Sequence, residues 1–117
     1  MTNNPFEELT LALREFARER DWEKFHTPKN LAMSVMIEAA EIAEHFQWSD
    51  GSVAHEIPEK IRSEVAMEIG DTLLYLLRLA DRLGIDPVAA ARSKMEINAH
   101  RYPVEKAFGN ALKYSDL

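Results

Sequence analysis

Cysteine is absent from the 117 residues, which removes disulfides and thiolate metal sites from consideration. Long apolar runs are absent as well. No stretch approaches the ~20 apolar residues that a membrane span requires, and the opening segment MTNNPFEEL lacks the basic and apolar regions of a signal peptide. There is no excess of basic residues: the net charge of −6 argues against broad binding to duplex nucleic acid, which calls for a basic footprint. Glycine and proline number only four and five, and most of them fall where helices begin or end. Period-two alternation, solenoid repeats and low-complexity stretches are all missing. The expectation is a single cytoplasmic domain over residues 1–117, with neither membrane nor nucleic acid as partner. An acidic chain still accepts a phosphate substrate wherever a metal ion neutralises a carboxylate cluster.

What is present is helical punctuation. Asn4-Pro5 is a cap followed by a first-turn proline, ahead of an apolar stripe of Phe6, Leu9, Leu13, Phe16 and Ala17. Thr27-Pro28 opens a second helix that is expected to reach Phe46 or Trp48, before the turn Ser49-Asp50-Gly51. Pro58 leads into a longer third helix ending near Gly84, and Asp86-Pro87 opens a fourth that runs to about His100. Tyr102-Pro103 breaks it, leaving an irregular tail from about residue 103 with one short helical turn. The fold class is all-α, a bundle of four helices. Its content of Leu, Ile, Met and Phe leaves apolar surface for copies of itself, so an oligomer is expected.

Two helices carry acids where apolar residues belong. On a wheel of ~100° per residue, Glu38 lies about 20° from Leu31, in the stripe of Leu31, Val35 and Ile42. Glu41 sits about 60° further round, with Ser34 and His45 nearby. The third helix repeats the arrangement: Glu68 falls inside the stripe of Ile61, Val65, Thr72, Leu79 and Leu83, and Asp71 flanks it beside Glu64. Two such pairs facing each other gather four carboxylates in one small volume. Ionised carboxylates out of water must be paired, metal-bound or protonated. A structural ion-pair network is the plainer alternative, with Arg78, Arg82, Lys94 and Arg101 as cationic partners. Two matching acidic pairs favour a metal, and all-oxygen ligation suits Mg²⁺, or Mn²⁺ in its place, over zinc or copper. A di-iron carboxylate bundle asks for Glu-x-x-His on two helices, and the sequence does not carry that motif on two helices.

The fourth helix places Asn98 on the face of Val88, Ala91, Met95 and Tyr102, with Lys94 and Arg101 a turn to either side. Asn98 is either a satisfied core amide or a reader of a base edge or ribose, with Lys94 or Arg101 meeting phosphate. Trp22 and Trp48 are core anchors or base-stacking platforms.

Four blocks in order, RDWEKFHTPKNL, EAAEIAEHFQW, EVAMEIGDTLLYLL and KMEINAHRYP, resemble the all-α NTP pyrophosphatases of the MazG-like type, with the dCTP pyrophosphatase branch nearest. The likeness runs from Phe6 to about Tyr102. It implies a MazG-type fold and hydrolysis of a nucleoside triphosphate, dCTP or a related or modified deoxynucleotide, to the monophosphate and pyrophosphate. It implies further that Glu38, Glu41, Glu68 and Asp71 bind Mg²⁺ and that a bound water attacks the phosphate chain. Trp22, His26, Trp48, Tyr75, Lys94, Asn98, Arg101 and Tyr102 would line the nucleotide pocket, and the chain would assemble as a homodimer or homotetramer. Burial makes Glu38 the candidate general base beside Glu41. One departure is Leu13, which stands where vertebrate-type enzymes are expected to carry a histidine. Two alternatives stand beside this expectation: an enzyme of the phosphoribosyl-ATP pyrophosphohydrolase kind, and a non-catalytic helical interaction module.

Overall fold

The computed structural model describes residues 4–117; the first three residues of the opening segment lie outside them. Every regular element among the described residues is helical. Four longer helices follow in chain order: α1 (Pro5–Glu19), α2 (Pro28–Glu44), α3 (Glu59–Arg82) and α4 (Pro87–Arg101). A short α5 (Val104–Ala107) comes after them, and single 3₁₀ turns cover Glu23–Phe25, Ala54–Glu56 and Tyr114–Asp116. Among the described residues, no helix is long and apolar enough to cross a membrane.

Three of the helix starts are fixed by the caps that the sequence offers. Asn4 Oδ1 accepts from the Phe6 N–H at 3.0 Å, and Thr27 Oγ1 from the Asn30 N–H at 3.2 Å. Asp86 Oδ1 accepts from Val88 and Ala89 at 3.0 and 3.2 Å. Each cap satisfies amides that the first helical turn leaves without partners, a contribution of about 1 kcal/mol. Helix α2 stops at Glu44, short of Phe46, because its last amides tighten. His45 N–H bonds Ile42 and Phe46 N–H bonds Ala43, both to the carbonyl three residues back. Helix α3 closes on Gly84 at φ +67°, with the Ile85 N–H reaching back to the Ala80 carbonyl at 2.8 Å. The tail holds more order than the single turn expected, since α5 and the last 3₁₀ turn are both formed.

The described residues form two compact units, one up to Ile85 and one from Asp86 to Leu117. In the first, α3 packs against α2 and against α1. Its buried apolar residues are Ala17, Leu31, Leu77 and Ala80. Leu31 belongs to the expected stripe of α2. Leu77 and Ala80 lie off the stripe expected for α3, a helix that packs against α1 as well as α2. Full burial of a leucine contributes roughly 1.5–3 kcal/mol, so these few positions anchor the three-helix unit.

The second unit holds α4, α5 and the terminal turn. Tyr102 meets Tyr114 edge to face at 6.1 Å, and the Arg101 guanidinium lies 4.5 Å above the Tyr114 ring. Helix α4 is exposed along almost its whole length: Met95 is 72% and Ile97 45% accessible.

Candidate metal centre and the adjoining cavity

Three of the four acids expected to converge lie together on α2 and α3. Glu38 and Glu41 stand one turn apart on α2, and Glu68 faces them from α3. One carboxylate oxygen from each lies within 4.8 Å of the others. The crowding raises the proton affinity of the cluster. Burial, a hydrogen bond shared with Glu41 and the charges of Glu41, Asp71 and Glu68 push the Glu38 carboxyl up to about 7. Glu68 is raised too, first through its hydrogen bond with Glu41 and then by burial. Even so, Glu38 Oε2 and Glu68 Oε2 are buried with no hydrogen-bond partner.

Those two orphaned oxygens test whether a cation belongs here. Among the described residues no lysine or arginine pairs with Glu38, Glu41 or Glu68. Arg78 bonds Asp81 and His26 instead, and Arg82 bonds the His26 carbonyl. The nearest basic group is His45, with Nδ1 3.4 Å from Glu64 and Nε2 4.0 Å from Glu68. A hard divalent cation fits the donor set, since three carboxylates each bring an oxygen into one small volume and two of them also carry a buried oxygen without a partner.

Asp71 sits one turn beyond Glu68 at the edge of this cluster and opens onto a cavity of about 230 Å³. Leu13 and Phe16 of α1, His26, and Leu74, Tyr75 and Arg78 of α3 complete its wall. His26 is delivered there by a tight turn after α1. Asp21 adopts φ +55°, and the Trp22 N–H then reaches back to the Ala17 carbonyl at 2.9 Å. This left-handed backbone is uncommon for a residue other than glycine, and the Lys24 ammonium holds the Asp21 carboxylate at 2.8 Å. Trp22 meets Phe16 at 5.8 Å and His26 at 6.4 Å, both edge to face. Burial, then the positive charges of Arg78 and Arg82, hold His26 below the ordinary histidine range.

Of the residues expected at the site, the structure therefore gathers Glu38, Glu41 and Glu68 in one cluster. Asp71, Tyr75 and His26 meet in the adjoining cavity, with Trp22 behind His26. Trp48 does not join them: it is 91% exposed and lines a separate groove with Phe46 and Ile57. It follows the far end of α2 from His26, a helix about 25 Å long. Lys94, Asn98, Arg101 and Tyr102 belong to the second unit, where Lys94 and Asn98 are exposed on α4 and the other two pack on Tyr114. Arg78 was read only as a flanking cation, yet it is the buried charge of the cavity wall at 4% exposure. An arginine facing the apolar side of a helix, three residues before an aspartate, was the available signal.

The raised Glu38 carboxyl predicts a pH signature for the metal-free protein. Between its ordinary 4.5 and about 7, the folded state keeps a proton that the unfolded chain has released. Stability therefore falls as pH rises through that window, and the loss is complete above it. Glu38→Gln removes this decline. In EDTA the variant is expected to melt above wild type at pH 8, with the two curves converging towards pH 4.5. Parallel melting profiles across the window would contradict the assigned crowding.

Comparison with known proteins bears on the same residues. The MazG-like family model matches residues 33–117, which include all four acids. The chain is 47% identical over 105 residues to dCTP pyrophosphatase 1 of Mus musculus, and 43% identical over 105 residues to that of Homo sapiens. Each alignment covers 88% of this chain, which spans 62% of the length of these curated relatives. A solved structure of a pyrophosphatase from Archaeoglobus fulgidus superposes with a TM-score of 0.80 at 47% identity, covering 88% of this chain and 96% of that one. With its acidic cluster inside the matched segment and its backbone close to that solved relative, the chain belongs to the MazG-like family.

Proposed function

We propose that this chain is a magnesium-dependent nucleotide pyrophosphohydrolase that converts a deoxynucleoside triphosphate, dCTP or a related or modified base, to the monophosphate and pyrophosphate. The observation that carries the proposal is a crowded three-carboxylate cluster next to Asp71, one turn further along α3, which lines a cavity with apolar and aromatic walls. The cluster suits the cation that a triphosphate requires, and the cavity suits a base. The relatives named dCTP pyrophosphatase and pyrophosphatase support the same reaction.

Glu38, Glu41, Glu68 and Asp71 are the residues that would hold the cation. When bound, magnesium neutralises the phosphate chain and acidifies water. The protein's own task is to orient and to move a proton. Water adds to phosphorus, the bridge between the α and β phosphates breaks, and Glu38 takes the proton that the water gives up. Phe16, Tyr75 and His26 hold the base end while the carboxylates hold the phosphate end, and this fixes the scissile bridge between them. Lys94, Asn98, Arg101 and Tyr102 are proposed as further substrate-binding residues, and the cytoplasm is proposed as the compartment.

The working unit is proposed to be a homodimer or homotetramer. Helix α2 is apolar on both sides. Opposite Leu31 and Val35 it presents Met33, Met36 and Ile37, exposed at 50, 63 and 52%. A helix that is hydrophobic on two faces calls for a second cover, and a further copy of the chain supplies a matching face.

The reaction is checked by pyrophosphate release from each common dNTP and NTP, with Mg²⁺ and with EDTA. Magnesium-dependent release that peaks with a pyrimidine deoxynucleotide and disappears in Glu41→Gln is expected. No release from any triphosphate would return the chain to a helical interaction module. Assembly is checked separately by light scattering after gel filtration. Wild type is expected at a multiple of the 13.4 kDa chain mass, with Ile37→Arg at a lower multiple, and a monomeric wild type would refute the assembly.

A further inference from the structure

The contacts of His26 dictate where its proton sits. Arg78 Nε–H donates to His26 Nδ1 at 3.1 Å. A guanidinium offers only donors and stays charged throughout the range in which proteins are folded. Nδ1 must therefore present its lone pair, which makes the imidazole neutral with its single N–H on Nε2.

Arg78 cannot swing away to relax this demand. It is 4% exposed, and its Nη1 donates to Asp81 Oδ2 at 3.1 Å. Asp81 is gripped in turn by Arg14, whose Nε lies 2.8 Å from Oδ2 and whose Nη2 lies 2.6 Å from Oδ1. The backbone beside the ring is tied down as well, since Arg82 Nε donates to the His26 carbonyl at 3.1 Å. Nε2, by contrast, has no hydrogen-bond partner among the described residues, and His26 lines the 230 Å³ cavity.

We propose that Arg78, held by Asp81 and Arg14, is a positioning residue that locks His26 as the neutral Nε2–H tautomer, so that the cavity selects a ligand offering a hydrogen-bond acceptor to that nitrogen. The tautomer follows from the contacts alone. The identity of the acceptor rests on the proposed function: it is a ring nitrogen or carbonyl oxygen of the base, not an exocyclic amine. The apolar flanks supplied by Leu13, Phe16 and Leu74 suit a base at this point better than a phosphate. Protonating Nδ1 would set an N–H against the Arg78 N–H and add a third positive charge beside Arg78 and Arg82. Asp71 and Tyr75 are the only other ionisable groups on the cavity wall.

The direct test is long-range ¹H–¹⁵N spectroscopy of the imidazoles in the ligand-free protein. Wild-type His26 is expected to show a pyridine-type Nδ1 and a pyrrole-type Nε2, and to keep them near pH 6.5, where ordinary histidines are half protonated. Arg78→Lys keeps the charge but loses the planar fork. It is expected to mix the tautomers and to raise KM for the preferred triphosphate about tenfold, the scale of one lost hydrogen bond. The turnover number should stay within about twofold. Arg14→Ala, at an exposed position outside the cavity, should shift both readouts in the same direction by less. A wild-type His26 with its proton on Nδ1, or doubly protonated at neutral pH, overturns the proposal without reference to any variant. An unchanged KM in an Arg78→Lys protein that has lost the tautomer overturns the ligand half of it. Failure of wild type to hydrolyse any triphosphate would sink the proposed function, and the spectrum would still decide the tautomer.

Discussion

Mutual repulsion among Glu38, Glu41 and Glu68 is the constraint around which the first unit is organised. Three carboxylates with oxygens within 4.8 Å of one another are unfavourable neighbours in a partly buried setting, and among the described residues no arginine or lysine pairs with them. The folded chain without metal meets the problem by retaining a proton on Glu38, which titrates near 7. Two unpartnered buried oxygens remain even then. A cluster so poorly satisfied by its own protein is suited to a positive ligand, and a cation held there would let an acidic chain receive a polyanion.

Helix α3 turns this local tension into an extended site. Glu68, Asp71, Tyr75 and Arg78 follow one another at intervals of three and four residues, so helical geometry sets them along one side. That side runs from the carboxylate cluster through its edge to the cavity and on to the buried guanidinium. Packing of α2 on α3 brings the remaining acids to the near end. Packing of α1 on α3 supplies Leu13, Phe16 and the Arg14 grip on Asp81 at the far end. The same helix–helix contacts that bury Leu31, Leu77 and Ala80 therefore also set the spacing between charge and cavity.

Legibility in the sequence followed the range of the interactions. Caps are local, and Asn4, Thr27 and Asp86 were readable because each oxygen serves an amide two or three residues away. The paired acids were readable because an acid inside an apolar stripe is a contradiction visible within one helix. The cavity was less so. Arg78 and His26 are 52 residues apart, and only the return of the chain after α1 brings them together. The burial of Leu77 and Ala80 was hidden for the same reason, since a wheel shows one stripe while α3 has two neighbours. Trp48 looked like a companion of Trp22 because both follow helices, yet the length of α2 puts them at opposite ends. The acceptor-seeking edge of His26 has no sequence signature, because it depends on which nitrogen an arginine reaches.

The central claim is that the crowded carboxylates exist to hold a divalent cation. Its most direct test is calorimetric titration of Mn²⁺ into the metal-free protein near pH 7, repeated in buffers of different ionisation enthalpy, with Glu68→Gln as control. The account predicts binding accompanied by release of a proton from the cluster, with both lost or sharply weakened in the variant. Saturating Mn²⁺ that neither binds wild type nor displaces a proton would contradict it, and would leave the three acids as a feature without a cation to explain them.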